Sequence, residues 1–215
     1  ALQDKLGITL PTSPGWDTMS CIKASFEHNV DLAFILGGNL YASNPDQHFT
    51  EQALNNIPFK VYLSTTLNQG HLAGTDGESI ILPVAARDEE KQTTTQESMF
   101  NFVRLSDGGI VRLSNVRSET DVITDIAIGV LEERQLSFKK FKDHQNIRAV
   151  IADTIPGFEK IKSLGETKEE FQIGGRTFHE PVFPTADKKA NFKVVPIPDH
   201  SVGLPDKKHF RLMSV

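Results

Sequence analysis

Asp31-Leu-Ala-Phe-Ile-Leu36, closed at once by Gly37-Gly38-Asn39, is the stretch that decides the fold. The run is shorter than an ordinary helix, and it lacks the polar alternation of a strand with one wet face. It reads as a strand buried on both faces of a parallel sheet, with the glycines forming the turn that ends it.

Outward from this strand, helices and strands alternate. Upstream, Trp16, Met19, Ile22 and Phe26 recur at helical intervals between Trp16 and His28, and Asp17 or Thr18 stands where a cap belongs. Downstream, Asn44-Pro45-Asp46 opens a second helix. Asn caps, Pro at the first helical position gives up only an N–H that has no partner there, and Asp suits the positive end of the helix dipole. Phe49, Ala53 and Leu54 supply the apolar face, and strands follow over Phe59 to Leu63 and Ser79 to Leu82, the latter ending at Pro83. Strand, helix and strand predict a right-handed βαβ unit whose loops gather at the carboxyl edge of the sheet, where ligands bind in such folds.

Further along, Phe100, Phe102 and Arg104 alternate up to Asp107-Gly108-Gly109, and Val111 and Leu113 alternate after it, which predicts a hairpin. Ser118 followed by Asp121 predicts a helix start, and Val122, Ile123, Ile126, Ala127, Val130 and Leu131 form its apolar stripe to about Arg134. Another helix carries Ile147, Val150, Ile151 and Ile155 as far as Pro156-Gly157. After Ser163 the chain turns rich in Lys, Gly, Pro and Thr, with strand-like fragments at Phe171 to Ile173, Thr177-Phe178 and Phe192 to Val195. The expected architecture is α/β, a three-layer sandwich with a mainly parallel, Rossmann-like sheet over 1–163, then a partial β-rich segment over 164–215.

Composition excludes several classes. A net charge of −5 and a pI near 5.8 leave no basic field to capture a polyanion, so nucleic acid is not an expected partner. No apolar run reaches the roughly 18 to 20 residues of a membrane helix, and the sequence does not open on a secretory signal, so the expectation is a cytoplasmic protein away from membranes. Cys21, the single cysteine, can form neither an internal disulfide nor an iron–sulfur site alone, and beside the apolar stripe of its helix it reads as an inert core residue. The histidines form no i, i+4 pair with a third ligand, so no metal site is expected, and His48, His144, His179, His200 and His209 read as surface or loop residues. Glu89-Glu90 and Glu133 read as solvated charge, which leaves no catalytic residue in this chain. Ala1 at the start and strand-like Phe210 and Leu212 just before Val215 read as the cut ends of a longer polypeptide.

The candidate site lies in two loops. Gly37, Gly38, Asn39 and Ser43 follow the first strand, where absent β-carbons let a ligand approach the backbone. Leu63, Ser64, Thr65 and Asn68 occupy the matching place after the second, and His71 just beyond is read as structural.

These same residues carry a resemblance. Phe34-Ile-Leu-Gly-Gly-Asn-Leu-Tyr-Ala-Ser-Asn-Pro-Asp46 resembles the "G-x-N-P" region of molybdopterin oxidoreductases, and Val61 to Leu72 resembles the next loop in a formate-dehydrogenase-like branch of that family. Glu78-Ser-Ile-Ile-Leu-Pro83 is similar to its "A-D-V-V-L-P" strand. Ile155-Pro-Gly-Phe158 and Thr185 to Phe192 resemble later landmarks, in family order, the last a variant of "T-P-S-G-K-A-x-F" with Lys188 in place of glycine.

The resemblance implies a segment covering the family's third domain and the start of the fourth. It also implies a parent enzyme in which molybdenum or tungsten is held by a bis(molybdopterin guanine dinucleotide) and a 4Fe-4S cluster can stand elsewhere, and the isolated segment is expected to be inactive and to carry neither. It implies guanosine contacts from the two loops and from Ser79, although Ser64 and Ser79 stand where family members often have aspartate. Its partners would be the cofactor and the rest of the parent chain. A different reading keeps the same loops in a free-standing α/β nucleotide-binding or interaction module without redox activity.

Overall fold

Among the described residues two three-stranded sheets organise the chain, and the parallel one is made from the strands read above. The computed structural model describes residues 1–98, 100–131, 136–174 and 181–196. In chain order the elements are α1 (Leu2–Leu6), α2 (Thr18–Phe26), β1 (Leu32–Leu36), α3 (Leu40–Ser43), α4 (Gln47–Asn55), β2 (Phe59–Ser64), β3 (Glu78–Pro83), β4 (Thr94–Glu97), β5 (Phe102–Ser106), α5 (Glu119–Val130), α6 (His144–Thr154), α7 (Leu164–Thr167) and β6 (Phe171–Gln172). The chain divides into two compact units, residues 1–174 and 175–215.

In the first unit β1, β2 and β3 lie side by side and all parallel, with Phe34 opposite Val61 and Val61 opposite Ile80. Helices cover both faces, so the expected three-layer α/β sandwich is present. On one face α2 and α4 pack through Phe26 and Phe49, whose rings are 4.6 Å apart, and Asn56 Nδ2 donates to the Phe26 carbonyl at 2.7 Å. On the other, Val122 of α5 joins Val61, Leu63 and Val84 in one core, flanked by Phe59 and Leu82. Burying side chains of this size contributes about 1.5 to 3 kcal/mol each. That makes β2, almost wholly buried, the axis of the fold.

The expectation of strands buried on both faces holds for β2 and fails for its neighbours. Leu32, Phe34 and Leu36 of β1 and Ile80 of β3 are exposed because α5 reaches only the middle of its face, and Ile81, on the opposite face of β3, is exposed as well. Cys21 is also exposed rather than in the core: Ile22, one residue on, takes the inward position, while Trp16 and Met19 stay largely in solvent.

Caps mark the helix starts. Asp17 accepts from Ser20 N, which lowers its carboxyl pKa, and Ser118 accepts from Asp121 N as the spacing predicts. The start of α4 differs by two residues from the reading: Asp46, not Asn44, is the cap and accepts from Phe49 N at 2.9 Å, while Asn44 Nδ2 turns back to the Leu40 carbonyl.

A second core holds Val103, Phe158, Ile161, Leu164, Phe171 and Ile173 beneath the antiparallel sheet β4-β5-β6. The hairpin here is formed by β4 and β5, not by strands on either side of Asp107-Gly108-Gly109. Thr94 to Glu97 gave no apolar alternation because β4 is a polar edge strand. The segment after Asp107 lies instead along the carbonyls of Arg87, Asp88 and Glu90, with Ile110 N donating to Asp88 O at 3.0 Å, so Val111 and Leu113 are left exposed. Because β6 pairs with β5, Phe171 and Gln172 belong to the first unit, which runs on to Gly174. In the second unit Phe192 to Val195 form no strand and are exposed. Thr177-Phe178, Glu133, Arg134, His179, His200, His209, Phe210 and Leu212 lie outside the described residues.

Candidate functional site

Leu36 pairs with Leu63, so the loops that leave β1 and β2 emerge next to each other at the carboxyl edge of the sheet. The ladder continues one residue past β1, where Gly37 N donates to Leu63 O at 2.7 Å. Gly37 and Gly38 then take consecutive left-handed conformations, φ 63° and 70°, which side chains other than glycine adopt at a cost. No atom lies within 4 Å of where a β-carbon would stand on either, so the turn faces open space. Asn39 ends the turn by capping α3, its Oδ1 accepting from Ala42 N at 3.0 Å, and Ser43 closes α3 with Oγ donating to Leu40 O.

The second loop is latched onto the first. Asn68 Nδ2 donates to Gly38 O at 3.0 Å, its Oδ1 accepts from Gly70 N at 2.9 Å, and its own N–H donates to His71 Nδ1 at 3.0 Å. A ring nitrogen that accepts carries no proton, so neutral His71 holds its proton on Nε2. The His71 ring meets Tyr62 edge-on at 5.1 Å, which ties the loop to the middle of β2. Burial raises the Tyr62 hydroxyl pKa. Leu63 is fully buried and serves through its backbone, and the buried Ser64 turns Oγ to Thr66 O at 2.6 Å, so only Thr65 of that trio faces outward.

The structure therefore brings together Gly37, Gly38, Asn39, Leu63, Ser64 and Asn68, with Thr65 and Ser43 at the margins. It does not bring Ser79. That residue pairs with Lys60 near the amino end of β3, four residues before Pro83, so it lies about 13 Å from the loops along the strand. The space between the two loops is about 10 Å³, bordered by Asn39, Asn68, Gly70 and His71, and barely admits one water.

A larger polar crevice of about 340 Å³ opens beside Thr65, on the face of the sheet that α5 covers. Arg87, Glu90, Thr94, Thr95, Glu119, Thr120 and His144 line it. The sequence reading assigns none of these to a site, taking Glu90 as solvated charge and passing over Arg87, Thr94, Thr95, Glu119 and Thr120. His144, read as a surface residue, is buried at the start of α6 because two segments converge on it: its N–H donates to Gln92 Oε1 at 3.0 Å, and its ring nitrogens meet Thr93 O at 3.3 Å and Thr120 Oγ1 at 3.1 Å. A carbonyl only accepts, so Nδ1 carries the proton that faces Thr93. The signal that was available is the Ser118 cap. Val84 forms a parallel bridge with Arg117, so α5 leaves the same carboxyl edge as the two loops.

Among the described residues no three His, Cys, Asp or Glu side chains are grouped to hold a metal, and no helix is long and apolar enough to cross a membrane.

The fold is thus that of the Rossmann-like three-layer α/β class, with its polar loops and crevice at the carboxyl edge of a parallel sheet. No protein-family model matches the chain. It is 31% identical over 206 residues, 92% of its length, to the protein named Uncharacterized oxidoreductase Mb2924c in Mycobacterium bovis, and equally to Uncharacterized oxidoreductase Rv2900c in Mycobacterium tuberculosis. The chain spans about a quarter, 26%, of the length of these relatives.

Proposed function

We propose that this chain is the cofactor-holding α/β segment of a longer molybdopterin-dependent oxidoreductase of the formate-dehydrogenase-like kind, contributing the wall that meets the guanosine end of a molybdopterin guanine dinucleotide. The observation that carries the reading is the open double-glycine turn at Gly37-Gly38, latched through Asn68 to the next loop of a parallel sheet. The kinship with much longer proteins named oxidoreductases supports it.

The donor set suits one end of such a group. Backbone amides of Gly38 and Asn39 border space that no β-carbon fills, Thr65 and Arg87 offer further donors around a crevice of nucleotide size, and Thr120, whose hydroxyl hydrogen goes to His144 Nε2, offers an acceptor oxygen there. With only about 10 Å³ between the loops, they would grip from one side and leave the opposite wall to another part of the parent. Ser79, a strand length away, falls outside this wall. When bound, the cofactor supplies the molybdenum or tungsten at which electrons are exchanged. The residues of this chain position and desolvate its nucleotide end, and none performs a chemical step.

The experiment is to purify the full-length polypeptide and measure molybdenum and tungsten, pterin as its fluorescent oxidation product, and guanine nucleotide released by acid. Metal, pterin and guanine in fixed proportion are expected. Full-length protein free of all three, yet binding GMP or GDP in solution, would favour a simple nucleotide-binding module instead.

A further inference from the structure

The outer edge of β1 is an unfinished edge, and we infer that a parallel strand from outside residues 1–215 of the same longer polypeptide pairs with it. β1 ends the parallel sheet, and among the described residues no strand lies beyond it. Since Gly37 N points to Leu63 O, alternation along the strand turns the N–H and C=O groups of Phe34 and Leu36 away from β2 and into the open.

The side chains flanking that edge are apolar on both faces. Leu32, Phe34 and Leu36 are 56%, 42% and 50% exposed on one. On the other, Ala33 and Ile35 form the floor of an apolar groove of about 370 Å³, walled by Trp16, Ile22, Val30 and Leu54. An added strand would set alternate side chains over Phe34 and into this groove, and so cover both.

Edges meant to stay free are blunted by charge, proline or a bulge. The other edges of this unit are guarded: β3 carries Glu78 and Pro83, β4 is Thr-Thr-Gln-Glu, and β6 is only two residues long. Leu-Ala-Phe-Ile-Leu has no such guard. The length of chain needed is at hand, because relatives are about four times as long as the region they share with it. The inference rests on the chain being a segment of a longer polypeptide, not on the cofactor's identity.

Residue-resolved hydrogen exchange in the full-length protein tests it. The Phe34 and Leu36 amides should exchange within about tenfold of the Ala33 and Ile35 amides, which bond β2 in either case; exchange more than about a hundredfold faster would mean a free edge and overturn the inference. A photo-cross-linking residue at Leu36, in a mixture of isotopically light and heavy protein, identifies the source. Cross-links to a segment beyond residue 215 or before residue 1 within one copy are expected, and cross-links between light and heavy copies would overturn it in favour of a dimer. Protection of β1 in a protein without pterin would leave this inference standing and remove the cofactor reading alone.

Discussion

Asn68 and Gly38 stand thirty positions apart in the chain, yet the Asn68 amide donates to the Gly38 carbonyl at 3.0 Å and fixes the distance between the two loops. The contact is tight on both sides. A β-carbon on Gly70 would lie 2.5 Å from Asn39 Oδ1, so the second loop approaches the first as closely as its residues allow. Replacing Asn68→Ala removes that bond and the one from Gly70 N, both partly exposed, and should cost about 1 to 2 kcal/mol of stability. In the full-length protein pterin content should fall by a larger factor than stability accounts for. Full pterin content in a variant with a lowered melting temperature would mean the latch is only structural.

Glycines in the two places should respond differently. At Gly37 a side chain has room but must take φ 63°, a conformation Asn tolerates and a β-branched residue resists. Gly37→Asn is expected to melt within about 2 °C of the wild type, a shift of no more than about 1 kcal/mol, and to lose cofactor by filling the open side of the turn. Gly37→Val should lose stability as well. At Gly74, φ 66°, a β-carbon would fall 2.2 Å from Leu54 Cβ, so Gly74→Ala should destabilise by several times as much. Equal melting temperatures for Gly37→Asn and Gly74→Ala would contradict the geometry.

The sheet was legible because β1, β2 and β3 carry apolar runs bounded by glycine and proline, and such runs specify a parallel interior. What periodicity could not say is how far the covering helices extend. The run 32–36 reads as fully buried although α5 leaves one of its faces open. The polar strand β4 gave no signal for the same reason that it is an edge. Of the site, the glycine turn and the 63–68 loop were visible as polar breaks after apolar runs. His144, Thr120 and Arg87 come together only through tertiary contacts between α6, α5 and the loop after β3, which no local pattern encodes.

Lys60 offers a test of the interior. Its side chain is fully buried, and Nζ donates to the carbonyls of Leu54, Ile57 and Asp76 at 3.1, 2.9 and 2.7 Å, which closes the end of α4. Burial pushes its pKa below the ordinary 10.5, partly countered by the Asp76 charge. Between that lowered value and 10.5 the unfolded chain holds a proton the folded one has released, so Lys60 favours the folded state increasingly as pH rises through the window. Lys60→Met should cost about 2 to 4 kcal/mol at pH 7, by leaving buried carbonyls without their donor. Urea unfolding at about pH 10 should show a wider gap between wild type and variant. A narrower gap would mean that the three carbonyls hold the proton more strongly than burial expels it.

The last prediction concerns whether the crevice beside Thr65 belongs to the ligand wall. His144 holds Thr93 O, which also accepts from Arg148 Nη1 at 2.8 Å, and it reaches Thr120 at the first turn of α5. Arg148 is buried, its pKa lowered by desolvation, and its guanidinium is tied to Gln145 Oε1 at 2.9 Å, so it keeps the Thr93 carbonyl satisfied when His144 is removed. His144→Ala should therefore cost only about 1 to 2 kcal/mol while freeing Thr120 and the strand that carries Thr94 and Thr95. His144→Asn retains a donor where Nδ1–H points and should recover part of that stability. In the full-length protein, guanine nucleotide and pterin recovered per molecule should be highest in the wild type, lower in His144→Asn and lowest in His144→Ala. Should all three retain the same cofactor while their stabilities differ, His144 is a packing residue, and the ligand wall is confined to the Gly37 and Asn68 loops.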